Sequence, residues 1–172
     1  MLEQMAELVL DAGAMDVLVA DTPAKIKDAW AARSSFLEAI MHETKLLDEC
    51  DVVVPVNKIA DYLDFVNKTG EDCGLVIKSF GHAGDGNLHI YQCSNDLEEE
   101  EFKSRVDKFF EIIYREATNC GGLVSGEHGI GSGKIKYLVD SVGETNMALM
   151  EGIKRVFDPK MILNPGKVCY RL

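Results

Sequence analysis

The dipeptide Asp85-Gly86 sits between two strand-forming runs, residues 75–80 and 88–91, and no other feature limits the fold of this chain as tightly. Asp-Gly supplies the backbone angles of a tight β-turn at low steric cost, so the flanking runs are expected to pair antiparallel as a hairpin. A valine-rich run, 51–56, reads as a third, buried strand, and the short apolar run 17–20 as a fourth. Helical spacing accounts for most of the rest. Leu2, Met5, Leu8, Val9 and Ala12 form a stripe that ends at Gly13, placed as a C-cap. Asp21-Thr22-Pro23 starts a second helix, whose stripe runs through Ile26, Trp30, Arg33, Leu37 and Ile40. Asn57 is placed to cap a third, with Ile59, Leu63 and Val66 inward and Gly70 at its end. A fourth is expected to begin at Ser94 or Asn95, to hold Glu98 to Glu101 in its first turns, to bury Phe102, Val106, Phe109, Ile113 and Ala117, and to stop at Gly121-Gly122. Segments 134–141 and 144–157 read as two more helices before a tail with Pro159 and Pro165. Strands and helices mix without strict βαβ alternation, which predicts an α+β fold with a largely antiparallel sheet.

A chain of 172 residues with 47% hydrophobic content can bury one core of ordinary size, so a single domain is expected. The formal net charge of -11 repels phosphate backbones and anionic headgroups, which argues against nucleic-acid binding. Five widely spread cysteines, with no Cys-x-x-Cys pair, read as reduced thiols of a cytoplasmic protein. No stretch approaches the roughly 20 apolar residues of a membrane span, and the acidic N-terminus lacks the basic flank of a secretory signal.

Three places could carry chemistry. His82 and His89, two of the four histidines, flank the glycine-rich turn of the hairpin. Pairing would bring both imidazoles within reach of one divalent metal, although a hairpin with incidental polar residues fits the same pattern. The run Ser125-Gly126-Glu127-His128-Gly129-Ile130-Gly131 sets an acid and a histidine among glycines. Such a backbone can lie close against a flat ligand, and it can equally be a flexible linker. If Glu127 joined His82 and His89, a 2-His-1-carboxylate set with open positions would result. Arg33, in a stripe that otherwise reads as core, needs a partner there: a structural ion pair, or a substrate carboxylate held by two parallel hydrogen bonds.

The motifs His82-Ala83-Gly84-Asp85-Gly86-Asn87-Leu88-His89, Gly126-Glu127-His128-Gly129-Ile130-Gly131 and Asn164-Pro165-Gly166-Lys167 occur in the order found in FAD-linked oxidases, and over essentially its whole length the chain resembles their C-terminal cap domain. That family includes glycolate oxidase subunits, D-lactate dehydrogenases and D-2-hydroxyglutarate dehydrogenases. The resemblance implies a ferredoxin-like cap, with a divalent metal, zinc or iron, on His82, His89 and Glu127. It makes His128 the base that takes the hydroxyl proton and Arg33 the holder of the substrate carboxylate, and it sends Asn164 and its neighbours back to the flavin. Two departures stand out. Glu49 occupies the place of a lysine that helps hydroxyglutarate-type members bind a second carboxylate, and Tyr91 replaces an asparagine; both favour a small monocarboxylate such as lactate or glycolate. The stretch from His89 to Asn95 is similar to lactate dehydrogenases that work with electron-transferring flavoproteins; an iron-sulfur subunit is the other partner the family suggests. No segment supplies dinucleotide-binding elements, so the chain reads as a fragment whose FAD is held by a preceding domain, inactive alone. A metal-dependent hydrolase or a noncatalytic ligand-binding module are the rival readings.

Overall fold

A computed structural model describes residues 2–169. The chain divides into two units, Met1–Glu43 and Thr44–Leu172. The first holds α1 (Leu2–Asp11), α2 (Pro23–Ser34) and α3 (Phe36–Glu43). Thr22 caps α2 by accepting a hydrogen bond from the Lys25 amide at 3.3 Å, with Pro23 in the first turn, as the sequence predicts. The single long helix expected through Ile40 is instead two. The Ser34 and Ser35 hydroxyls donate back to the Trp30 and Ala32 carbonyls, a local alternative to the helical ladder, and the chain breaks between them. The expected stripe is therefore divided: Trp30 is 64% exposed, Arg33 is half-buried, and Ile40 alone is buried. The run 17–20 forms no strand, since nothing among the described residues pairs with it.

The second unit holds β1 (Leu46–Val53), α4 (Ile59–Cys73), β2 (Val76–His82), β3 (Asn87–Ser94), α5 (Glu99–Asn119) and α6 (Ile135–Phe157). The sheet is antiparallel in the order β1-β3-β2, and an isolated bridge between Val53 and Leu123 adds one further pairing to β1. This is the split β-α-β-β-α-β plan of a ferredoxin-like fold with its fourth strand reduced to one bridge. The hairpin closes where Asp85-Gly86 demands it. Gly86 has φ +80°, its amide donates to the His82 carbonyl at 3.0 Å, and Asp85 accepts from the Asn87 amide.

Several expected boundaries move for local reasons. β1 starts at Leu46, well before residue 51, because pairing with β3 continues to Leu46 opposite Ser94. It stops before Pro55, which has no N–H for the ladder. Residues Val56–Lys58 form a 3-10 turn, so Asn57 is not a cap. α4 runs past Gly70 to Cys73, and Gly74, in the left-handed region, ends it. Gly70 is needed for packing: a Cβ there would lie 2.1 Å from Ile77 Cγ1. α5 starts at Glu99 because Ser94 still belongs to β3 and its hydroxyl accepts from the amides of Asp96 and Leu97. Its predicted inner stripe, from Phe102 to Ala117, is buried. Gly143, at φ +77°, breaks α6 into the two segments read from the sequence. No helix among the described residues is long and apolar enough to cross a membrane.

Alternation along the strands sorts the side chains. Cys50, Val52, Leu88 and Ile90 join the core with Val66, Val106, Phe109 and Ile113 of α4 and α5. Glu49, Asp51, Asn87 and His89 therefore belong to the other face. Asp51 is fully buried there under the glycine-rich loop. Its Oδ2 accepts from three successive amides, those of Gly126 and Glu127 at 2.7 Å and of His128 at 3.0 Å, and the Ser125 hydroxyl donates to both oxygens. Lys134, just ahead of α6, pairs with Oδ1. Burial alone would raise the Asp51 pKa. The Lys134 ammonium and the loop amides outweigh it and hold the carboxyl well below the usual carboxylate range.

Two stability predictions result. A Cβ on Gly86 would lie 1.9 Å from the Val54 carbonyl oxygen at a positive φ, so Gly86→Ala is expected to cost about 2–4 kcal/mol, strain added to overpacking, measured by urea unfolding. Asp51→Asn leaves Lys134 without its buried counter-charge and is expected to cost about 3–5 kcal/mol. Because the folded pKa of Asp51 is depressed, its contribution is complete above about pH 4, the unfolded carboxylate range, and is lost as pH falls further. Unfolding midpoints measured from pH 6 down to pH 2 should converge for the parent and Asp51→Asn.

Candidate metal and proton-transfer site

β3 is the central strand, and His89 near its middle is the most enclosed imidazole, only 5% exposed. In the register, Asp51 of β1 and Phe80 of β2 lie opposite His89, while His82 lies opposite Asn87 at the hairpin end. His82 and His89 are thus diagonal neighbours on one face, with ring centroids 5.9 Å apart. The Phe80 ring, 5.7 Å from His89 and stacked on Tyr91 at 5.1 Å, forms an apolar wall beside them.

The loop 124–133 brings the remaining groups. With its amides held by Asp51, Glu127 projects Oε1 to 2.9 Å from His89 Nε2 and 4.0 Å from His82 Nε2. One donor atom from each of His82, His89 and Glu127 falls within 4.8 Å of the others. Donors in a tetrahedral zinc shell with bonds of about 2.1 Å lie about 3.4 Å apart, so the observed separations bracket that spacing and the set suits a borderline divalent cation. Gly126 is required here because a Cβ would lie 2.2 Å from Asn87 Oδ1.

His128 follows directly, half exposed, its ring 4.9 Å from that of His89. Its Nδ1 is 3.2 Å from Glu49 Oε1, and the same oxygen is 3.4 Å from His89 Nδ1. Glu49, His89 and His128 form a second close donor group. The sequence reading noticed Glu49 only as a departure from a family pattern and missed Asp51, Ser125 and Lys134 as the anchors of the loop. The available signal was the spacing Glu49-x-Asp51, which in a strand puts both carboxylates on one face.

The two remaining candidates differ in placement. Asn164 belongs to this unit. It is exposed with φ 45°, in a turn where Asp158 accepts from the Ile162 and Leu163 amides. The tail then reaches the glycine-rich loop, with the Val168 amide donating to the Gly131 carbonyl at 2.7 Å. Arg33 lies in the first unit, near the C-terminal end of α2.

A family profile described as "FAD linked oxidases, C-terminal domain" matches residues 1–168. The chain is 61% identical over 171 residues to a D-lactate dehydrogenase of Anaerostipes hadrus, covering 99% of this chain and 36% of that protein. It is 34% identical over 169 residues to the glycolate oxidase subunit GlcD of Bacillus subtilis, covering 97% of this chain and 35% of the relative. It is 37% identical over 171 residues to a D-lactate dehydrogenase of Archaeoglobus fulgidus, covering 99% and 37%. The chain spans about a third of the length of these relatives. The three ordered motifs, the antiparallel α+β plan and the match along nearly the whole chain establish that it belongs to the family of FAD-linked oxidase C-terminal domains.

Proposed function

We propose that this chain is the substrate- and metal-binding part of an FAD-dependent 2-hydroxy-acid dehydrogenase of the D-lactate or glycolate type. The observation that carries the reading is the meeting of His82, His89 and Glu127 beside His128 in a domain of this family. FAD, bound mainly by a separate domain and approached here by the tail around Asn164, supplies the hydride acceptor. A divalent metal, zinc or iron, on His82, His89 and Glu127 would polarise the 2-hydroxyl and lower its pKa.

The chain's own residues then do the following. Arg33 holds the substrate carboxylate and so selects the face of Cα that is presented, a role that rests on the family resemblance. His128 accepts the hydroxyl proton as the 2-oxo acid forms. Phe80 and Tyr91 keep water from one side of His89, which strengthens the electrostatic interactions there. Glu49 puts a negative charge 3.2 Å from His128 Nδ1 and disfavours a second substrate carboxylate nearby, which supports lactate or glycolate over a dicarboxylate. An electron-transferring flavoprotein or an iron-sulfur subunit is the proposed partner that reoxidises the flavin.

Stopped-flow flavin reduction in the protein joined to its FAD domain tests these roles. With D-lactate or glycolate, His128→Asn is expected to slow reduction by about 10²–10⁴-fold with little change in apparent substrate affinity. Arg33→Lys keeps the charge and loses the planar two-pronged donor, so it should weaken substrate binding by about tenfold or more, the scale of one charged hydrogen bond. An unchanged reduction rate in His128→Asn removes it from the proton-transfer role, and unchanged affinity in Arg33→Lys makes Arg33 a structural residue. Treatment with a strong chelator should lower the reduction rate, and added zinc or iron should restore it.

A further inference from the structure

We propose that Glu49 is a positioning residue that holds the Nδ1 protons of both His89 and His128, so that each imidazole keeps Nε2 free for the reaction space. The inference rests on the site reading above and gives Glu49, which there only disfavours a second substrate carboxylate, a further role in orienting the imidazoles. Its basis is an unusual pair of atoms. Glu49 Oε1 and His89 Nδ1 are both buried with no aligned hydrogen-bond partner, yet they face one another at 3.4 Å. Leaving both unsatisfied costs more than a small rotation that joins them. The same Oε1 is 3.2 Å from His128 Nδ1, and one carboxylate oxygen has lone pairs for two donors.

The consequence is geometric. A neutral imidazole that donates through Nδ1 has its lone pair on Nε2. For His89, Nε2 is the nitrogen 2.9 Å from Glu127, on the side of the proposed cation. For His128, Nε2 is the ring nitrogen turned away from Glu49, where a base would need its lone pair. Glu127 competes for a proton on His89 Nε2, but its side chain is 52% exposed and can turn to water, whereas Glu49 Oε1 is buried. The buried carboxylate therefore decides the tautomer. Glu49, His89 and His128 could instead be read as a second metal set. That would require His89 to bridge two cations as an imidazolate, which a single Nδ1–H donated to Glu49 avoids.

The test uses this chain, prepared metal-free and then titrated with zinc. Long-range proton–nitrogen NMR at a pH where His89 is neutral should show its Nδ1 protonated and Nε2 bare in the parent. In Glu49→Ala the proton should move to Nε2. A parent His89 already protonated at Nε2 overturns the proposal. Calorimetric zinc binding should weaken about 10–100-fold in Glu49→Ala, the usual scale for losing a partner behind a metal-bound histidine. Glu49→Gln, whose amide oxygen can still accept from Nδ1–H, should recover a large part of that loss. Equal losses in both variants, or two zinc ions per parent chain, would make Glu49 a ligand and overturn the positioning role. If the parent binds no zinc, the metal assignment of His82, His89 and Glu127 fails, while the tautomer measurement still decides the role of Glu49.

Discussion

The Asp51 carboxylate is the interaction on which the site depends. It sits on the polar face of β1, fully buried, and its oxygens collect three consecutive loop amides, a hydroxyl and an ammonium. A carboxylate in that position would be costly if unpaired. Its partners come from residues 125–128 and from Lys134, which closes the loop ahead of α6, so one group on the sheet fixes both ends of the glycine-rich segment. The direction in which Glu127 and His128 project is set by this arrangement, because the amides bound to Asp51 are their own.

Two carboxylates thus serve one face in different ways. Asp51 is saturated with donors and is held ionised for structure. Glu127 is half exposed, with an oxygen between two imidazoles and room for another partner. Glu49 stands between them in character, since its Oε1 is enclosed but unsatisfied by an aligned donor. Two such carboxylates and three imidazoles on one face are a donor set of the kind that divalent cations take. The thiol of Cys50, next to Asp51 in sequence, shows the contrast between the two faces of the strand. Burial against the apolar core pushes its pKa up to about 12, and it acts as a small packing group.

Much of the second unit was legible in the sequence. The hairpin at Asp85-Gly86, the inner stripe of α5 and the division of the last helical segment at Gly143 all follow from local rules that tertiary packing does not contradict. His82 and His89 were legible as neighbours because hairpin pairing is local. What escaped was set by distant partners or by competing local bonds. The run 17–20 has strand composition but pairs with nothing among the described residues, and the serines at 34 and 35 divide a helix that periodicity alone would continue. Gly70 looks like a helix end until the approach of Ile77 explains it. Asp51 and Glu49 were visible as residues, but their roles depend on which loop folds over which strand, and short-range spacing cannot supply that.

The glycine-rich loop posed the sharpest choice, since composition fits a flexible linker as readily as a close-approach surface. The anchoring decides it. A linker has few fixed backbone groups, yet here the amides of residues 126, 127 and 128 are all bonded to Asp51, and the Gly131 carbonyl accepts from Val168 of the tail. Gly129 and Gly131 lie in the left-handed region at φ +78° and +54°, and a Cβ at either would meet no neighbour within 4 Å. Those two glycines are therefore called for by backbone conformation and not by crowding, whereas Gly126 is called for by crowding against Asn87. Such a loop holds its side chains in place at the cost of a restricted sequence, which is the behaviour expected of a segment that aims particular side chains. The tail carrying Asn164 is tied to this same loop, by the Val168 amide on the Gly131 carbonyl and by the Lys167 ammonium, which donates to Ser132 Oγ at 3.4 Å, so two of the three motifs that mark the family converge. The third, the hairpin motif, meets them through His89 and Glu127. That convergence is the physical reason that three short stretches, far apart in the chain, belong together.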